Sequence, residues 1–144
     1  MEYVAALSSE HGHTLIEFPD CPGCQTFADA SEDISTVAEE ALEGWLEVHL
    51  EGGDAPPRPR ARKHGARTLA VRVNPALAIA LQLRWRRQEL GLSQAQLGRR
   101  LDVTRQQVAL LEKPSANLRL TTLTRAAAAL ELDVDVGFSP VRRP

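Results

Sequence analysis

Apolar and polar positions alternate weakly over residues 2–7 and 13–18, where Tyr3, Val4, Leu15, Ile16 and Phe18 supply the apolar side. Ser8-Ser9-Glu10-His11-Gly12 lies between them and suits a hairpin connection. A third short strand is expected over residues 25–30, after a Pro22-Gly23 turn. The period then changes. Ser31 is a good N-cap, Glu32 and Asp33 suit the positive end of a helix dipole, and Ile34, Val37, Ala41, Trp45 and Val48 recur at helical spacing up to Gly52-Gly53. The front of the chain therefore reads β-β-β-α.

The stretch GGDAPPRPRARKHGAR (52–67) carries neither period and reads as an extended, flexible connector. Beyond it, Leu69, Val71 and Val73 alternate in a short strand over residues 68–73. Asn74-Pro75 looks like an N-cap followed by proline at the first helical position. A helix is expected from there to about Leu90, with Leu77, Ile79, Leu81, Leu83 and Trp85 along it and Gly91 closing it. In LSQAQLGRRLDVTRQQVALLEK (92–113), Ser93 and Thr104 cap two short helices, with Leu97, Leu101, Val108 and Leu111 as buried anchors. Gly98 provides the close approach and Leu101-Asp102-Val103 the turn. This is the pattern of a helix-turn-helix. A further helix is expected from Thr121 through Leu130, with Leu118, Leu120 and Leu123 packing back. Clean alternation over residues 132–138, LDVDVGF, predicts a last strand.

The predicted fold class is thus α+β: a β-β-β-α module, a linker, and an all-α helix-turn-helix domain flanked by short strands. The expected boundaries are 1–52, 53–67 and 68–144. At 144 residues with 43% hydrophobic content, each half buries only a small core, so docking or dimerisation is expected to support both. No apolar run approaches the roughly 20 residues of a membrane span, and no secretory signal pattern opens the chain. A cytoplasmic protein is the default.

Charge sharpens this division. Residues 1–54 hold 13 carboxylates and no Lys or Arg, while all 17 basic residues and only six acids follow, so segments of −13 and +11 hide within a net charge of −2. A basic partner for the front and a polyanion for the back are implied. Glu39, Glu43, Glu47 and Glu51, each four apart, form an acidic ridge on the helix. Like charges at this spacing cost a few tenths of a kcal/mol per pair. The ridge is either a solubilising face or a docking face for a basic protein. The linker cluster Arg58, Arg60, Arg62, Lys63 and Arg67 reads as solvated, with DNA backbone or an acidic neighbour as the other uses.

Cys21 and Cys24 form a CPGC motif. A redox pair usually needs a helix starting at the first thiol, and Pro22-Gly23 reads as a turn instead. A zinc site needs two more ligands, and His11 and His13 match no usual spacing. A structural role is preferred, and no metal or cofactor is expected.

Segment 75–132 resembles the Cro/repressor type of helix-turn-helix. It departs at Asp102, where glycine is usual, and at Pro114. Asp tolerates the left-handed region better than most residues. In that family the second helix lies in the major groove. Arg105 and Gln106 would then reach base edges, Arg suiting guanine and Gln adenine. Gln107 and Ala109 would lie near the groove, and Gln94 and Thr104 would hold phosphates. Lys113, Asn117 and Arg119 are further phosphate candidates, while Arg99 and Arg100 suit a solvated face equally well. A helical bundle with no DNA role is the plain alternative. The strands at 68–73 and 132–138 would form a small sheet within a chain or across a dimer, and dimerisation would set two recognition helices about 34 Å apart.

The front half is similar to the HicB antitoxin family. The resemblance lies in Phe18-Pro19-Asp20-Cys21-Pro22-Gly23-Cys24, then Ala28-Asp29-Ala30-Ser31-Glu32-Asp33, then Ala38-Glu39-Glu40-Ala41-Leu42. It implies a partial RNase H-like module that masks a small basic mRNA-cleaving toxin, HicA. Asp20 joins the glutamate ridge as an expected toxin contact. It also implies a C-terminal domain that binds double-stranded operator DNA as a dimer and represses its own operon. An acidic module competing with RNA for a basic surface fits the charge split independently. Two alternatives remain: a stand-alone ligand-responsive repressor, and a metal-dependent nuclease. The second needs carboxylates converging on a metal, whereas the acids here lie along a ridge or in turns.

Overall fold

The computed structural model describes residues 1–61, 65–115 and 117–140. Strands β1 (Glu2–Glu10), β2 (His13–Glu17), β3 (Gln25–Ala28) and β4 (Thr68–Arg72) form one antiparallel sheet in the order β3-β2-β1-β4. The β1–β2 hairpin closes on two residues, because His11 (φ 48°) and Gly12 (φ 85°) both take the positive-φ geometry of a tight primed turn. The expected five-residue connection is therefore mostly strand, with Ser8 and Ser9 paired to Leu15 and Thr14.

Helix α1 (Ile34–Glu51) covers one face of this sheet. Its cap is Asp33 rather than Ser31: the Asp33 carboxylate accepts from the Thr36 hydroxyl (2.8 Å) and N–H (2.9 Å), which hold it below the usual carboxylate range. Its buried seam is Ala38, Leu42, Leu46 and Leu50, while Val48 is 67% exposed. Two apolar stripes run side by side along this helix. The sheet takes the one with three leucines, each worth about 1.5–3 kcal/mol on burial. The leucines pack on Tyr3, Ala5, Ile16, Phe18, Ala28, Val71 and Val73.

Strand β4 lies at the sheet edge beside β1, with Tyr3 opposite Val71 and Ala5 opposite Leu69. Residues 68–72, expected to open the helical half, thus supply an edge strand to the front sheet. β4 pairs with β1, and residues 132–138 pair with no strand among the described residues. They form no strand and run along the surface, with Val136 58% and Phe138 96% exposed.

The connector is also more ordered than expected. The Pro56 carbonyl accepts from Trp85 Nε1 (2.6 Å), the Pro57 carbonyl from the Tyr3 hydroxyl (2.7 Å), and the Asp54 carbonyl from Arg84 (2.7 Å). The Arg60 N–H donates to Asp20 (3.0 Å), and the Arg58 guanidinium stacks on Trp85 and pairs with Glu89. Prolines remove N–H donors and leave carbonyls in surplus, which the Trp85, Tyr3 and Arg84 side-chain donors satisfy. Arg62 and Lys63 lie outside the described residues.

Helix α2 (Pro75–Glu89) starts on Asn74, whose side chain accepts from the Leu77 N–H (3.0 Å). Leu77, Ala80, Leu81 and Trp85 belong to the sheet core, and Leu83 to a second core with Leu97, Leu101, Val108, Ala126 and Leu130. Helices α3 (Gln94–Leu101), α4 (Arg105–Leu111) and α5 (Leu120–Ala129) form that second core. Leu123 packs there as expected, but Leu120 is 60% exposed. The molecule is α+β, a four-stranded sheet module followed by helices.

Candidate functional site

The pair α3–α4 is built by local chemistry. Ser93 and Gln96 form a reciprocal capping box at the start of α3, and Thr104 and Gln107 form another at the start of α4. Asp102 ends α3 in the left-handed region (φ 56°, ψ 46°), the conformation the turn requires. A Cβ at Gly98 would lie 2.8 Å from the Val103 carbonyl oxygen, so no side chain fits there.

Val108 of α4 is buried, and Ala109 and Leu111 are half-buried. Arg105, Gln106, Gln107 and Leu110 face solvent. Thr104 Oγ1 accepts from the Gln107 N–H (3.1 Å), and Gln107 Oε1 accepts from the Thr104 N–H (2.8 Å). Both acceptors are used internally, so the Thr104 hydroxyl proton and the Gln107 amide protons point donor chemistry outward. Gln94 differs from expectation: its Nε2 turns onto Glu112 (3.3 Å) rather than outward. Lys113, Asn117 and Arg119 are exposed.

Several basic residues serve as helix C-terminal partners. Arg125 donates to the Leu101 carbonyl, Arg100 to that of Ala129, and Arg86 to that of Leu130. Among the described residues of the helical half, Arg99 on α3, Arg105 at the start of α4, Lys113 after α4 and Arg119 at the cap of α5 make no such bond.

One buried network went unseen in the sequence. Glu112, 1% exposed, ends α4 and accepts from Arg87 (Nε, and Nη2 at 2.9 Å), from Arg84 Nε (3.3 Å) and from Gln94. Arg84 also donates to the Leu50 carbonyl of α1 (2.9 Å), and Arg87 to the Leu92 carbonyl (2.8 Å). One guanidinium thus touches the end of α1 and the cap of α4. Position 112 reads in sequence as one acid among six, with nothing local to mark it as buried.

On α1, Glu39, Glu47 and Glu51 are exposed and Glu43 is half-buried. No ion pair compensates any of them among the described residues. Helical geometry places Glu40, Glu47 and Glu51 most squarely outward, opposite the leucine seam. Gly44 and the exposed Val48 lie among them, and a Cβ at Gly44 would meet no atom within 4 Å. Asp20 lies inward: its side chain is 2% exposed and receives the Arg60 N–H, which ties the connector to the loop after β2.

Cys21 and Cys24 are buried free thiols in the loop between β2 and β3. Burial is the main cause that pushes Cys21 up to about 12, the neighbouring Cys24 and Asp20 adding to it, and burial pushes Cys24 up to about 11. Cys24 Sγ approaches the Ala41 carbonyl (3.7 Å). Among the described residues no group of three or more His, Cys, Asp or Glu side chains converges as a metal would need, and no helix is long and apolar enough to cross a membrane.

Residues 3–68 match the family of HicB-like antitoxins of bacterial toxin-antitoxin systems, and residues 83–136 match a helix-turn-helix family. The chain thus carries a front segment similar to HicB-like antitoxins and a back segment similar to a helix-turn-helix family. A solved structure of the HicA3 and HicB3 toxin-antitoxin complex contains a similar chain, 26% identical, with a TM-score of 0.46 over 52% of this chain and 100% of that one. No curated protein matches the chain. The family match ends at residue 68, the first residue of β4, and the sheet continues to Arg72.

Proposed function

We propose that this HicB-like chain neutralises a small basic, mRNA-cleaving toxin of the HicA kind and represses its own operon by binding operator DNA. One observation carries the reading: an uncompensated acidic helix face and an open helix-turn-helix face sit on one chain, with the charges segregated between them. An RNA-cutting protein needs a basic surface, and α1 offers carboxylates that compete with RNA for it. Glu39, Glu43, Glu47 and Glu51 are the contacts assigned to the toxin, joined by Glu40. Arg105 and Gln106 are assigned to bases, and Thr104, Gln107, Lys113 and Asn117 to the groove edge and phosphates. Gln94 contributes there only if its amide leaves Glu112.

Dimerisation through the C-terminal half belongs to the same reading. The apolar alternation of residues 132–138 pairs with no strand among the described residues, and an unpaired strand-like segment favours pairing with a second copy. Co-expression with the neighbouring open reading frame tests the whole. Relief of growth arrest by the wild type, lost on charge reversal of Glu40, Glu47 and Glu51, is expected. Neutralisation by a chain lacking residues 1–61 would sink it.

A second reading, a ligand-responsive repressor, draws on a surface hollow of about 580 Å³ between α2, α5 and the tail, lined by Ile79, Leu83, Leu123 and Leu132. Failure to co-purify with any small basic protein, together with a small molecule that shifts DNA affinity, would favour it.

A further inference from the structure

Leu110 is 57% exposed and is the one large apolar side chain on the outward face of α4. The inward side is fixed by Val108 and Glu112, both buried, with Ala109 and Leu111 half-buried. Gln106 and Leu110, four residues apart, therefore form the outermost stripe of this helix. The stripe is uncharged, with Arg105 and Lys113 at its ends. Packing among the described residues leaves most of this leucine uncovered. We propose that Leu110 is a base-reading residue that takes the C5-methyl group of a thymine in the major groove. This rests on the DNA-binding role proposed above and adds a hydrophobic contact to the polar ones.

The chemistry fits the groove. Thymine alone presents a methyl group there, and an apolar side chain selects it without a hydrogen bond. Four helical residues rise about 6 Å, against a base-pair rise of about 3.4 Å. The thymine then lies one or two base pairs from the base read by Gln106. Polar reading at one step and methyl reading at the next would make the operator preference a joint property of the two side chains.

The test uses the full chain. Duplexes are selected from a random pool, and each thymine of the selected site is replaced in turn by deoxyuridine, which lacks only the methyl. At one thymine, deoxyuridine is expected to weaken wild-type binding about threefold to fivefold, the worth of one buried methyl group. Leu110→Ala should bind the thymine duplex more weakly by a similar factor and show no difference between thymine and deoxyuridine. Gln106→Ala should relax preference one or two base pairs away. If no deoxyuridine substitution separates wild type from Leu110→Ala, the thymine contact is refuted while DNA binding stands. If no duplex is selected at all, DNA reading falls and this proposal with it. A Leu110→Ala chain of altered oligomeric state in sedimentation would place Leu110 between copies and equally overturn it.

Discussion

At the scale of single residues, burial decides what each polar group does. Glu112 and Arg87 illustrate this: exposed, such a pair would contribute little, but here the carboxylate is 1% exposed and surrounded by two guanidiniums. Removing one partner strands the others. Glu112→Ala is expected to cost about 3–5 kcal/mol in chemical denaturation, far more than an exposed control such as Glu89→Ala. The buried thiols give a pH prediction. Both are neutral in the fold, with folded values raised to about 12 and about 11 from 9.0. Their contribution is complete below pH 9.0 and is lost as pH rises toward those values. Stability should fall through that window, less steeply in a Cys21→Ala/Cys24→Ala chain, and native thiols should resist alkylation at pH 8. Rapid labelling of the folded protein would contradict the second point. The capping residues Asn74, Ser93 and Thr104 are legible in sequence because their bonds are local. The 84–87–112 network is not, since its partners lie 25 to 28 residues apart.

At the scale of elements, α1 shows what a periodic pattern leaves open. Its length and type follow from the pattern, but two apolar stripes compete, and the sheet selects the leucine seam. That rotation leaves Val48 outside and sets Gly44 in the middle of the acidic face. Nothing inside the chain requires glycine at 44. Gly44→Ala is therefore expected to raise stability by about 1 kcal/mol, read from the melting curve. If a partner docks closely on this face, the same substitution weakens neutralisation. A stabilised variant that neutralises as well as wild type would remove Gly44 from the contact. The helix-turn-helix was legible nearly to the residue. Its caps, its Gly98 approach and its left-handed Asp102 are all encoded within about twenty positions.

At the scale of the whole molecule, the two halves are less separable than their charges suggest. Strand β4 completes the front sheet, and α2 places Leu77, Leu81 and Trp85 in the front core and Leu83 in the back one. Arg84 then ties the end of α1 to the cap of α4. A fragment of residues 68–144 would expose Val71, Val73, Leu77, Leu81 and Trp85 to water. It is expected to melt well below the full chain, with a broad transition by circular dichroism. Cooperative unfolding of that fragment at the full chain's temperature would show two independent domains instead.

Apart from the strand expected over residues 132–138, the sequence by itself determined the element types, the helix-turn-helix and its caps, the acidic helix and the opposed charges. These rest on local hydrogen bonds and on periods of two and 3.6, which adjacent residues specify. Only the tertiary structure decided where β4 pairs, which stripe of α1 is buried, that the proline-rich connector is strapped to Tyr3, Arg84 and Trp85, and that Asp20 and Glu112 turn inward. Each of those outcomes depends on which distant surface has a free edge, an unused donor or a larger apolar area to cover, and no short window of sequence contains that competition.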